Sequence, residues 1–97
     1  MALFVTLMNW TDQGVKTFKD SVDRAEAAKS ALRGQGVDLK EIYWTVGPYD
    51  LVSIVEAPDV ETATAALRSL AAQGNLRSTT LRALTADEMR NVIAKAG

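Results

Sequence analysis

The chain has 97 residues, of which 47% are hydrophobic and 24% charged, and its formal net charge is −1. That composition describes one small globular domain with a single core of modest size. It holds neither cysteine nor histidine, which excludes disulfides, thiol nucleophiles, Cys/His zinc sites, histidine general bases and histidine haem ligands.

The apolar start, Met1 to Met8, has no basic residue before it and ends at Asn9. A secretory leader needs a basic start and a longer apolar run, and a membrane span needs about 20 apolar residues. Neither is expected, and a cytoplasmic location is. Leu3 to Met8, with the β-formers Phe4, Val5 and Thr6, predicts the first strand. Asn9 to Gly14 reads as a turn and a helix start, with Thr11 or Asp12 as the N-cap. Val15, Phe18, Val22, Ala25, Ala28 and Leu32 then recur at helical spacing. Ser21 after Asp20 offers a second N-cap, where that helix can break. Gly34 and Gly36 end it.

Ile42 to Val46 predicts the second strand, with a start as early as Leu39. Gly47-Pro48-Tyr49-Asp50 is a turn, and Leu51 to Glu56 the third strand, paired with the second as a hairpin. Asp59 caps a helix that carries Val60, Ala63, Leu67, Leu70 and Ala71 on one face and stops at Gly74. Leu76 to Leu84 is the fourth strand. Thr85 and Glu88 have capping-box spacing ahead of a last helix striped by Met89, Val92, Ile93 and Ala96.

The order β-α-β-β-α-β with a terminal helix predicts an α+β, ferredoxin-like sandwich over residues 1–97. Its four-stranded antiparallel sheet has order 4-1-3-2, with helices on one face. The central strands, one and three, are read as parallel neighbours. Alternation divides each strand into two sets. Leu3, Val5, Leu7, Ile42, Trp44, Val46, Val52, Ile54, Leu81 and Ala83 are expected under the helices. Phe4, Thr6, Met8, Glu41, Tyr43, Thr45, Leu51, Ser53, Val55, Ser78, Thr80 and Arg82 are expected on the open face. An open face holding Phe4, Met8, Leu51 and Val55 is a liability in water, so a homodimer or higher homo-oligomer is expected.

Three segments carry a family resemblance: Val5 to Gly14, Tyr43 to Val52 and Thr79 to Met89. Together they closely resemble the GYD domain family, whose name motif stands here as Gly47-x-Tyr49-Asp50. Members often have proline directly after the serine at the Ser21 position, where this chain has Val22. The resemblance implies the dimeric α/β-barrel superfamily, which includes cofactor-independent monooxygenases, muconolactone isomerases, haem enzymes and small stress-induced proteins. Fold does not choose among these.

The motifs divide into structural and functional readings. Gly47 to Asp50 is foremost a turn, with Asp50 as a base the sharper alternative. Trp44 is foremost core; Trp10 either packs on a helix or lids a pocket. Glu41 has no second carboxylate spaced to pair with it, and reads as solvated or ion-paired. The charges of the first helix read as a solvated face. No phosphate loop, nucleophile elbow or metal cluster is present, and no cofactor is expected. Too few aromatics and basic residues interleave for an RNA-binding sheet. The expected site is a cavity between two stacked sheets that takes a small organic ligand. It is ringed by Thr6, Tyr43, Thr45, Ser53, Thr80 and Arg82. Arg82 awaits an anion, Glu41 of a second copy, or solvent. A monooxygenase or isomerase using Arg82, Tyr43 and a carboxylate is the enzymatic alternative. Partners are a second copy and the ligand, with neither nucleic acid nor membrane.

Overall fold

The computed structural model describes all residues, Met1–Gly97. The elements are β1 (Ala2–Trp10), α1 (Asp12–Lys16), a 3-10 turn (Phe18–Asp20), α2 (Ser21–Gly34), β2 (Asp38–Trp44), β3 (Leu51–Ala57), α3 (Val60–Ala71), β4 (Leu76–Ala83) and α4 (Ala86–Ala96). The strands form one sheet of order β2-β3-β1-β4, with β1 antiparallel to β3 and to β4, and β2 antiparallel to β3. The expected order is found. The parallel pairing of the first and third strands is corrected to antiparallel, because the β2–β3 hairpin reverses the chain after the crossover has restored its direction.

Local chemistry fixes the ends. Thr11 caps α1 by accepting from Gly14 N, Asp59 caps α3 by accepting from Thr62 N, and Thr85 with Glu88 completes a capping box on α4. The helix after β1 does break ahead of Ser21, with the 3-10 turn between its two parts. Gly47 has φ +146°, a conformation that L side chains avoid, so the β2–β3 turn requires it. Gly14 is needed for a close approach: a Cβ there would lie 2.0 Å from the Asn75 carbonyl oxygen. Through that contact α1 sits on the turn between α3 and β4, held by Thr11 N to Asn75 O at 3.1 Å and Thr11 Oγ1 to Gly74 O at 2.6 Å.

The core lies between the sheet and the helices and reverses the expected faces. Phe4, Thr6 and Met8 on β1, and Leu51, Ser53 and Val55 on β3, are buried; Leu3, Val5, Leu7, Val52 and Ile54 are only partly so. Phe4, Val55, Leu39, Leu32, Val37 and Ala63 belong to one apolar cluster. The set expected under the helices on β1, β3 and β4 instead faces away from them. On β2, Ile42 and Trp44 do point to the helix side, because they pair with Ser53 and Leu51. Tyr43 and Glu41, paired with Val52 and Ile54, lie on the open side. Val46 is past the end of β2 and fully exposed. A register irregularity between Leu39 and Glu41 puts Leu39 and Ile42 on one face despite their odd spacing, as an extra residue in a strand does.

Two regions stay uncovered. The open face carries Leu3, Val5, Leu7, Val52, Ile54 and Leu81 with no helix over it. α4 extends from the sheet's end with no buried residue, leaving Met89, Val92 and Ile93 exposed, in a chain that measures 51 × 31 × 18 Å. No helix is long and apolar enough to cross a membrane.

Candidate functional site

The six residues expected to ring a site fall into four places. Thr6 and Ser53 are register partners, and their hydroxyls hydrogen-bond to each other. They lie beneath the helices, not on the open face, with 0% and 3% of their surfaces exposed. Thr80 completes the same row on β4 but is exposed, because no helix covers that edge. It and Arg82 line an open groove of about 790 Å³ between α3 and β4, floored by Phe4 and Leu67. Tyr43 is on the open face near the far edge of the sheet. Thr45 belongs to the turn: its hydroxyl donates to Tyr49 O at 2.5 Å.

Arg82 does not point into the space that a second sheet would close. It turns to the helix side, where its guanidinium lies 5.6 Å from the Phe4 ring centroid and 3.1 Å from Glu88 Oε2. Its partner is thus the capping-box carboxylate of its own chain, neither Glu41 nor an anion. The Glu88 carboxyl is held below its ordinary value of 4.5, first by the Thr85 backbone N–H and then by Arg82. Tyr43, beside the Glu41 carboxylate, has its phenol raised above 10.0. Tyr43 and Arg82 lie on opposite faces and on the two outer strands, so one chain does not bring them together as the enzymatic reading requires.

The Gly47–Asp50 segment is a structural clamp. Asp50 N donates to Met8 O at 2.8 Å, Trp10 N donates to Asp50 Oδ2 at 2.9 Å, and Asn9 Nδ2 donates to Pro48 O at 2.8 Å. Asp50 is therefore occupied in tying the hairpin turn to the end of β1. Trp44 is half-exposed, not core, with its indole N–H on Ser21 Oγ at 3.0 Å. No His, Cys, Asp or Glu side chains cluster as a metal ion needs.

Sequence reading missed a cavity of about 70 Å³ between the sheet and helices α2 and α3. α2 puts Ala25 and Ala28 over the sheet, and short side chains there leave space that larger ones would fill. The walls are mostly apolar, including Met8, Leu51 and Leu70. Ser53 and Arg24 also line it, and Trp10 and Asn75 stand at the side where α1 meets the α3–β4 turn. From the charge pattern of this helix, Arg24 is predicted on a solvated face. It is half-buried, and its guanidinium donates to Thr17 O at 2.9 Å, Thr17 Oγ1 at 2.5 Å and Gly14 O at 3.2 Å, with no carboxylate within 4.0 Å. The signal available in sequence was the pair of alanines inside a stripe that otherwise carries large apolar residues.

Comparison with known proteins agrees with this fold. One relative, from Thermus thermophilus, is 35% identical over 85 residues, which is 87% of this chain and 90% of that protein; it is named "Glutamine synthetase and cystathionine beta-lyase binding protein". A crystal structure of a Thermus thermophilus protein superposes with a TM-score of 0.58 at 25% identity, over 89% of this chain and 96% of the other. The GYD domain model matches residues 4–93, a span that contains all four strands and the Asp50 clamp, and the chain belongs to the GYD domain family.

Proposed function

We propose that this GYD domain protein is a non-catalytic binding protein that works as a homodimer, with the open faces of two sheets stacked and the helix sides turned outward to an enzyme partner. The observation that carries the reading is the open face itself. Leu3, Val5, Leu7, Val52, Ile54 and Leu81 form a continuous apolar surface on the side without helices, Leu81 at 48% exposure. Apolar patches of this kind mark interaction sites, and a two-fold dimer, the commonest homo-oligomer, pairs the same surface patch of both copies. The exposed apolar side of α4 adds surface at the rim. A cytoplasmic location belongs to the same reading, consistent with the lack of cysteine.

A small organic ligand between the stacked sheets has less support. Of the six expected residues only Tyr43 faces that space. The enzyme partner is suggested by the name of the Thermus relative, and glutamine synthetase and cystathionine beta-lyase from this chain's own host are the first to test. Sedimentation velocity at micromolar concentration should give a dimer, and Ile54→Asp a folded monomer. Interferometry on immobilised dimer should give saturable binding of one of the two enzymes. A wild-type monomer sinks the stacked-sheet reading, and a dimer that binds neither enzyme sinks their assignment as partners.

A further inference from the structure

We infer that the cavity between the sheet and helices α2 and α3 is a binding site for a small monocarboxylate with an apolar body. The carboxylate lies on Arg24 and the body fills the space above Ser53. Two independent features point there. The first is Arg24, a half-buried cation that lines the cavity without a carboxylate partner. Its three hydrogen bonds all go to uncharged oxygens at the start of the helical segment. They fix the guanidinium in place and leave its charge unneutralised and other N–H groups free. A fixed planar guanidinium is suited to carboxylate.

The second feature is at the floor. Thr6 and Ser53 have each other as partners, but two hydroxyls carry two hydrogens, and only one can lie between the oxygens. Thr6 is fully enclosed, whereas Ser53 faces the cavity. With Thr6 donating to Ser53, the Ser53 hydrogen is directed at the cavity and available to an acceptor. A buried donor without an acceptor is unfavourable, so Ser53 marks one polar point on the cavity floor, which a water beside the ligand's apolar body meets.

Size and charge narrow the class. A cavity of about 70 Å³ with apolar walls takes only a short chain, since an apolar cavity that holds a benzene ring is about 150 Å³, and leaves the charged end at the mouth. One cation matches one negative charge; a phosphate dianion would keep an uncompensated charge against apolar walls, which is costly. The cavity is built within one chain, so the inference goes beyond the dimeric binding-protein reading and does not depend on it. Loss of the dimer leaves it standing, and loss of the ligand leaves the dimer standing.

The test uses Trp10, which lines the cavity, as reporter. Trp44→Phe leaves it as the single tryptophan of the full-length chain. Titration with sodium butanoate, hexanoate and octanoate, and with 1-hexanol as the neutral control, should change Trp10 fluorescence saturably. Affinity should rise about fourfold per added methylene until the cavity is full, and hexanoate should bind more tightly than 1-hexanol. In that same background, Arg24→Gln should weaken hexanoate tenfold or more while leaving 1-hexanol unchanged, and Arg24→Lys should restore much of the loss. Ala28→Leu, which fills the cavity, should abolish both. Equal affinity for hexanoate and 1-hexanol overturns the carboxylate assignment, as does no response to any of the acids. Hexanoate binding that survives Ala28→Leu places the ligand elsewhere and overturns the site. Should Arg24→Gln fail to fold, the comparison of acid with alcohol and Ala28→Leu still decide.

Discussion

The two faces of the sheet use the same four strands to opposite ends. Under the helices, Phe4 and Val55 build the core, yet a threonine and a serine sit in the middle of it. On the open side, Leu3, Val5, Leu7, Val52 and Ile54 are uniformly apolar with no helix to meet them. Two hydroxyls lie inside an otherwise apolar core, while an apolar set lies outside, which a chain alone in water does not favour. The two hydroxyls are buried where one can donate to the other, whereas an apolar face can stay open only if something else covers it. The comparison thus separates a face that holds the monomer together from a face that waits for a second molecule.

The sharpest way to break that comparison is one charge on each face, at adjacent residues of β1. Phe4→Asp puts an unpaired carboxylate in the apolar cluster and should prevent folding, since even Phe→Ala in a core costs about 3–5 kcal/mol. Val5→Asp, one residue on, should leave the circular dichroism spectrum native and shift the protein to a monomer in sedimentation. If Val5→Asp unfolds the chain while Phe4→Asp stays folded, the two faces have been assigned the wrong way round.

Next in size is Gly47→Val. The β2–β3 turn sets the register, and a slip of one residue would exchange the faces of β2. Gly47 has open space around its Cβ position, so only its φ of +146° opposes a side chain. The substitution should cost on the order of 1–3 kcal/mol, read as a lowered urea midpoint; an unchanged midpoint would show that the turn does not need the glycine.

The hydroxyl pair should give a smaller and non-additive effect. Thr6→Val alone leaves Ser53 without its partner beneath the helices and should cost about 1–3 kcal/mol. Adding Ser53→Ala removes the stranded group and should recover part of that loss. A double variant in denaturant titration whose loss equals the sum of the two singles would mean that the hydroxyls do not act as a pair.

Most of the fold was legible because its signals are local. Capping residues at Thr11, Asp59 and Thr85, glycines at 34, 36 and 47, and strand-length apolar runs mark the elements, and the βαββαβ order leaves few topologies. Which side of the sheet the helices take was not legible. Alternation sorts a strand into two sets, but apolar content ranks the sets correctly only when one of them meets water. Here both are apolar, and Thr6 and Ser53 made the covered set look like the exposed one. On β2 the irregularity between Leu39 and Glu41 further separated Tyr43 from the residues it had been grouped with. Thr6, Ser53 and Thr80 stand out in sequence as polar positions, but their row across the sheet and its surroundings depend on tertiary coverage, which stops short of β4. Arg24 and the cavity were hidden for a related reason. A space is defined by what Ala25 and Ala28 lack, and periodicity counts only what is present.

The smallest expected effect lies at the edge where the two faces meet. Arg82 reaches around from β4 to Glu88 of α4, and Glu88 also accepts from the Thr85 backbone N–H at 3.0 Å. Both contacts favour the ionised carboxylate, so its folded-state pKa is lowered below 4.5. A group depressed in this way adds stability above its unfolded value, and that contribution is lost as pH falls through the lower folded value. Glu88→Gln cannot titrate and should show none of this dependence. The variant should therefore melt below wild type at pH 6, and the gap should narrow as the pH falls below 4.5. Because the ion pair is solvent-accessible, salt screens it, and added sodium chloride should narrow the gap at pH 6 as well. A gap that does not narrow below pH 4.5 would mean that the Glu88 charge does nothing for α4.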